Sequence, residues 1–117
     1  MSFGLLLCDD LLFASKVTAT AAAHGLAVTV RKSPEELLAA AAANPPAGVI
    51  VDLHTPGLEI ETLIVRLNAT GPVRVIGFGS HVDKETLAAA KAAGCNEVMP
   101  RSKFVKELEE NLPRWFS

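Results

Sequence analysis

The chain has 117 residues, half of them hydrophobic and 21% charged, with a formal net charge of −2. That length holds one domain and the composition can bury a core, so neither a second effector domain nor a disordered tail fits. No run of Lys or Arg marks a phosphate-binding surface, so direct nucleic-acid binding is not expected. No apolar stretch approaches the ~20 residues needed to span a bilayer, so no membrane association is expected either. Met1-Ser2-Phe3-Gly4 carries no positive charge ahead of the leucines, so no signal peptide is expected and the expected location is cytoplasmic.

Residues 4–8 predict a first strand, and 11–24 a helix ended by Gly25. Residues 26–30 predict a second strand. Ser33-Pro34-Glu35-Glu36 then opens a helix, with Ser33 at the N-cap, Pro34 in the first turn and Glu36 able to close a capping box. Asn44-Pro45-Pro46 ends it. Residues 48–51 are too apolar to alternate, which suits a central strand covered on both faces. Ile60, Leu63, Ile64 and Leu67 recur at helical spacing and predict a third helix. Residues 72–76 predict a fourth strand, 83–93 a fourth helix stopped by Gly94, and 97–99 a short fifth strand. Phe104, Leu108 and Leu112 line one face of a last helix, frayed by Pro113. Alternation of this kind implies one α/β domain over residues 1–117, with a parallel sheet, right-handed crossovers and helices on both faces.

In such a sheet ligands bind beyond the carboxyl ends of the strands. The first strand runs out into Asp9-Asp10 and the third into Asp52. The fourth runs out through Gly77-Phe78-Gly79-Ser80-His81, and the fifth through Pro100-Arg101-Ser102-Lys103. On these ends the chain resembles the bacterial response-regulator receiver domains, which include the single-domain chemotaxis regulator. Asp9-Asp10 matches the family's paired acids. Val51-Asp52-Leu53-His54-Thr55-Pro56-Gly57 matches its phosphoacceptor motif, an Asp followed four residues later by Pro-Gly. Ala92-Ala93-Gly94-Cys95-Asn96 matches the Ala-Gly turn before the fifth strand. The resemblance covers nearly the whole chain and implies a flavodoxin-like (βα)5 three-layer sandwich with strand order 2-1-3-4-5.

With the first and third strands adjacent, three carboxylates would converge, and like charges at that range repel by roughly 1–4 kcal/mol per pair. A hard divalent cation sharing their oxygens would relieve the repulsion. The resemblance implies Mg²⁺ held by Asp10 and Asp52, with Asp9 acting through water and the main-chain carbonyl of His54 supplying another oxygen. It implies Asp52 as the phosphoacceptor, served by a histidine kinase or a phosphotransfer protein. It also implies a downstream protein bound on the face of the fourth helix, fifth strand and fifth helix. Asp9-Asp10 can instead cap the first helix, and the two roles are compatible.

The chain also departs from the family. Arg101 stands where receivers carry Lys, and a guanidinium is a planar fork rather than a compact ammonium. The proline that follows the family Lys precedes Arg101 here, as Pro100, so the loop after the fifth strand is expected to take a different path. Lys103 is a second candidate for the missing Lys. Ser80 is the candidate switch hydroxyl; the alternative is a flexible Gly77-Phe78-Gly79 turn with no such hydroxyl. Val98 replaces the aromatic that receivers often carry on the fifth strand, and the chain has no Tyr. A phosphorylation-independent pseudo-receiver, the same fold used as a protein-binding module, is therefore the second reading.

Other classes fit less well. The acidic loop after the first strand does not suit a flavin phosphate. No Ser/His/Asp or Cys/His constellation falls on the strand ends, which argues against a turnover enzyme. The two cysteines, Cys8 and Cys95, have no disulfide or metal spacing and read as small core or turn residues. His24 reads as a solvated cation at a helix end, and His54 and His81 as loop residues above the acids. Trp115-Phe116 reads either as packed against the last helix or as an exposed contact.

Overall fold

The computed structural model describes residues 3–116, so readings of Met1, Ser2 and Ser117, and with them the outermost bounds of the domain, lie outside the described residues. Strands β1 (Phe3–Leu7), β2 (Ala27–Arg31), β3 (Gly48–Asp52), β4 (Arg74–Gly79) and β5 (Glu97–Pro100) form one parallel sheet in the order β2-β1-β3-β4-β5. The connecting helices are α1 (Leu11–Ala23), α2 (Pro34–Ala43), α3 (Ile60–Asn68) and α4 (Lys84–Ala93), with α5 (Arg101–Lys106) and α6 (Leu108–Trp115) closing the chain. None of the helices among the described residues is long and apolar enough to cross a membrane.

Successive side chains of a strand point to opposite faces, and here both faces are covered. Leu6, Ile50, Ile76, Phe78 and Met99 face one core, which Val17 of α1, Phe104 of α5 and Leu112 of α6 complete. Leu5, Leu7, Val49, Val51 and Val75 face the other, against Leu37, Leu63 and Leu67. Each such side chain contributes about 1.5–3 kcal/mol on full burial, so a one-residue slip of β1 or β3 would exchange the two cores at once. The helix starts are set by local chemistry. Ser33 accepts the Glu36 N–H at 3.2 Å, Asp10 the Phe13 N–H at 3.1 Å, and Asp83 the Thr86 N–H at 3.1 Å.

Three stretches differ from the sequence expectation. Gly77-Phe78-Gly79 belongs to β4 and is not a turn. Phe78 is 1% exposed, its ring stacks on Phe104 at 4.6 Å, and its carbonyl accepts the Leu53 N–H at 2.9 Å. Gly77 is small because Leu53 packs over it; a Cβ there would stand 3.1 Å from a Leu53 methyl. After β5 there is no loop, since Arg101 already begins α5. The last helix is two helices, broken at Glu107, and Pro113 lies inside α6 without ending it.

Beyond Glu107, α6 packs against α1, and its last residues reach the sheet at Gly4 and Gly48. Trp115 stacks on Phe104 at 5.5 Å and donates its indole N–H to Glu97 at 3.1 Å. Arg114 grips the same carboxylate through two N–H groups at 2.5 and 3.1 Å, and the Arg74 guanidinium donates to the Arg114 carbonyl. Phe116 is fully buried on Gly4 and Gly48, which are register partners in β1 and β3. A Cβ on either glycine would lie 2.6 Å from the ring. The two glycines form the slot that the ring fills, which decides the reading of Trp115-Phe116 in favour of packing.

Phe116→Ala should cost about 3–5 kcal/mol of stability in urea unfolding, and Gly48→Ala should also destabilise despite adding apolar surface. The Arg114 hydrogen bonds, aided by the Trp115 N–H, hold the Glu97 carboxyl below its ordinary pKa. That stabilisation is complete above the unfolded value and is lost as pH falls through the folded one. The stability gap between the wild type and Glu97→Gln should therefore narrow as unfolding curves are taken from neutral pH to below about pH 4.

Candidate functional site

Asp52 is the last residue of β3 and shares its face with Ile50, so its side chain falls beside Cys8 and Phe78 at the carboxyl end of the sheet. It is 8% exposed. Its Oδ1 accepts the His54 N–H at 3.0 Å, and its carbonyl accepts both the N–H and the hydroxyl of Thr55 at 3.0 and 2.7 Å. Its Oδ2 accepts from the Cys8 thiol, a weak donor, at 3.9 Å. Cys8 also approaches the Asp10 carbonyl at 3.6 Å. Burial is the main cause that pushes the Cys8 thiol above its ordinary pKa, and the Asp52 and Asp10 charges add to it. Burial likewise raises Cys95, to about 11. Both thiols are free and buried.

Asp10 caps α1 with Oδ1, while Oδ2 faces the Arg101 guanidinium at 3.4 Å. Both side chains are nearly half exposed, so this pair contributes about 0.2–1 kcal/mol. Arg101 is placed by more than that pair. β5 passes directly into α5, and the guanidinium lies over the Phe13 ring at 4.1 Å and near Phe78 at 5.8 Å. Phe13, Phe78 and Phe104 are in mutual ring contact beneath it. Lys103 instead lines a separate hollow with Lys91 and Glu97.

A cavity of about 730 Å³ opens in front of Asp52, walled by His54, Ser80, His81, Arg101 and Val105 with Phe78. His54 spans the gap to the β4–α4 turn. Its Nε2 accepts the Ser80 N–H at 2.9 Å, and its Nδ1 lies 4.0 Å from the Asp83 carboxylate that caps α4. The Ser80 hydroxyl accepts the Val82 N–H at 3.3 Å, within its own turn. Ser80 thus shares the cavity with Asp52. His24 caps the end of α1 and is exposed.

Mg²⁺ takes hard oxygen ligands in a near-octahedral set, and the carboxylates of Asp10 and Asp52 with the His54 carbonyl are donors of that type. The expected gathering of three carboxylates does not form: no group of three or more His, Cys, Asp or Glu placed to hold a metal ion occurs among the described residues. Asp9 is exposed, the outer oxygen of Asp10 is given to Arg101, and Oδ1 of Asp52 is bonded to the His54 amide. The donor chemistry fits the ion; the present pairing of Asp10 competes with it.

Sequence reasoning missed Cys8, Phe13 and Phe78 as parts of the site, and the His54 imidazole as a bridge. Cys8 has the strand parity of Leu6, which was the available signal for its place beside Asp52. Nothing in the sequence marks Phe13 as the platform for Arg101.

No family model matches the sequence, and no curated protein matches it. Solved structures do. The response regulator (signal receiver domain) from Bermanella marisrubri superposes with a TM-score of 0.84 at 19% identity, covering 100% of both chains. A response regulator receiver protein from Burkholderia phymatum gives 0.73 at 28% identity over 86% of this chain and 83% of that one. NtrX from Brucella abortus gives 0.84 at 19% identity, and there the match covers 99% of this chain but 27% of that one. The fold is that of the response-regulator receiver domains.

Removing the guanidinium from Asp10 should free that carboxylate for a divalent ion. Arg101→Gln should bind Mn²⁺ or Mg²⁺ about 1.5- to 5-fold more tightly than the wild type, the equivalent of a surface ion pair. Amide NMR titration around Asp10, Asp52 and His54 measures it.

Proposed function

We propose that this chain is a receiver-type signalling domain that accepts a phosphoryl group on Asp52 from a histidine kinase or phosphotransfer protein, in a bacterial cytoplasm. The observation that carries the reading is a mostly buried carboxylate at the carboxyl end of the central strand, opening on a cavity that also holds a guanidinium. Oδ1 of Asp52 is engaged by the His54 amide, which leaves Oδ2 as the nucleophile. That oxygen forms the new bond to phosphorus as the donor's own bond to phosphorus breaks, and the donor leaves with the electron pair, giving an acyl phosphate. Asp10 and Asp52, with the His54 carbonyl and with Asp9 through water, would hold Mg²⁺, which supplies positive charge to the transferring phosphoryl oxygens. Arg101 is close enough to exchange Asp10 for those oxygens, which a guanidinium can meet bidentately. Ser80, on the cavity wall, is the hydroxyl within this group of residues. A downstream protein would read the face formed by α4, β5 and α5.

One observation favours a second reading. Arg101 already supplies a positive charge to Asp10, with Phe13 holding it there. In that case the domain binds its partner through the same face without phosphorylation.

A small phosphodonor with Mg²⁺ should add one phosphoryl mass to the intact protein, and Asp52→Asn should abolish the addition. Arg101→Lys should change the lifetime of the adduct. Absence of added mass under forcing conditions, with Mg²⁺ shown to bind and Asp52→Asn still binding its partner, would overturn this reading in favour of the second.

A further inference from the structure

We infer that His54 is a positioning residue that transmits a change at Asp52 to the start of α4, by a route that enters the turn through the Ser80 main-chain N–H rather than through contact of its hydroxyl with Asp52, and that uses no fifth-strand aromatic. Its main-chain N–H donates to Asp52 Oδ1 at 3.0 Å, and its side-chain Nε2 accepts the Ser80 N–H at 2.9 Å. One residue therefore holds the carboxylate with its backbone and the β4–α4 turn with its ring.

Ser80 is the hub of that turn. Its hydroxyl accepts the Val82 N–H at 3.3 Å, and its carbonyl accepts the Asp83 N–H at 3.1 Å. Asp83 in turn caps α4, accepting the Thr86 N–H and hydroxyl at 3.1 and 2.7 Å. An imidazole that accepts at Nε2 carries its proton on Nδ1, and Nδ1 lies 4.0 Å from the same Asp83 carboxylate. Moving His54 thus disturbs both the Ser80 anchor and the cap of α4. Val82, at the tip of the turn, is 74% exposed, so little packing opposes a shift there.

Gly79 shows that the ring's place is built in. A Cβ on Gly79 would stand 3.0 Å from His54 Nε2, so the strand leaves the imidazole just enough room to reach Ser80. The hydrogen bond from the His54 amide to a charged carboxylate is of the stronger kind, and any change in the charge on Asp52 alters it first.

The inference rests on Asp52 as the site of change, as proposed above, but its test needs no phosphoryl transfer. Asp52→Asn removes the charge, and the resulting amide shift changes at Ser80, Val82 and Thr86 are read by ¹H–¹⁵N NMR in three backgrounds: wild type, His54→Ala and His54→Gln. In the wild type the changes should extend into the first turn of α4. In His54→Ala they should shrink by about threefold or more, as a double-mutant cycle reports for coupled groups. His54→Gln offers an amide oxygen to the Ser80 N–H and should restore them. Changes of equal size with and without His54, or no restoration by Gln, would overturn the inference. A failed phosphodonor reaction would bear on the acyl phosphate alone and would leave this result standing.

Discussion

The pairing of β1 with β3 builds both ends of this molecule. At the carboxyl end it sets the loop carrying Asp9 and Asp10 beside Asp52, with Cys8 between them touching both neighbours. At the amino end the same register places Gly4 opposite Gly48 and makes the slot that Phe116 fills. Neither feature survives a slip of one residue, because Gly4 and Gly48 would no longer stand opposite each other beneath the Phe116 ring and Asp52 would lose its place beside Cys8. The register of two short strands is therefore what fixes the distance between the candidate nucleophile and its acidic neighbours.

Arg101 shows how a single cation is shared among several weak contacts. Its pairing with Asp10 is long and solvated, and its position over Phe13 is of similar modest strength. Together they hold a charge at the mouth of the cavity without burying it. A guanidinium held this loosely can turn between the acid and an arriving anion at little cost, whereas a fully buried ion pair would resist.

Much of the fold was legible from the order of residues along the chain. The apolar run of β3 signalled a strand covered on both faces, and Ser33-Pro34 marked the start of α2 to the residue. The strand ends then pointed to Asp10, Asp52, Ser80 and Arg101, and the structure sets all four around one end of the sheet. Two things were hidden for physical reasons. Gly77-Phe78-Gly79 has the composition of a turn, yet its glycines answer to the Leu53 and His54 side chains lying over them, a tertiary demand that no local pattern reveals. The break at Glu107 leaves the spacing of Phe104, Leu108 and Leu112 unchanged in sequence, so one amphipathic stripe spans two helices. The partners of each acid were likewise out of reach, because a carboxylate's neighbours come from segments far apart in the chain; Arg101 and Asp10 are 91 residues apart.

The Phe116 slot carries a consequence for the order of folding. Its floor comes from the first residues of β1 and from β3, and its occupant is the residue that follows α6. Contacts between such distant segments close late and slow the search for the native state. While the protein is being synthesised, β1 and β3 can pair and cover their upper halves, but the ground between Gly4 and Gly48 stays bare until Phe116 leaves the ribosome. Until then the pairing of β1 with β3 lacks the ring that fills the gap between Gly4 and Gly48, at the end of the sheet opposite Asp52.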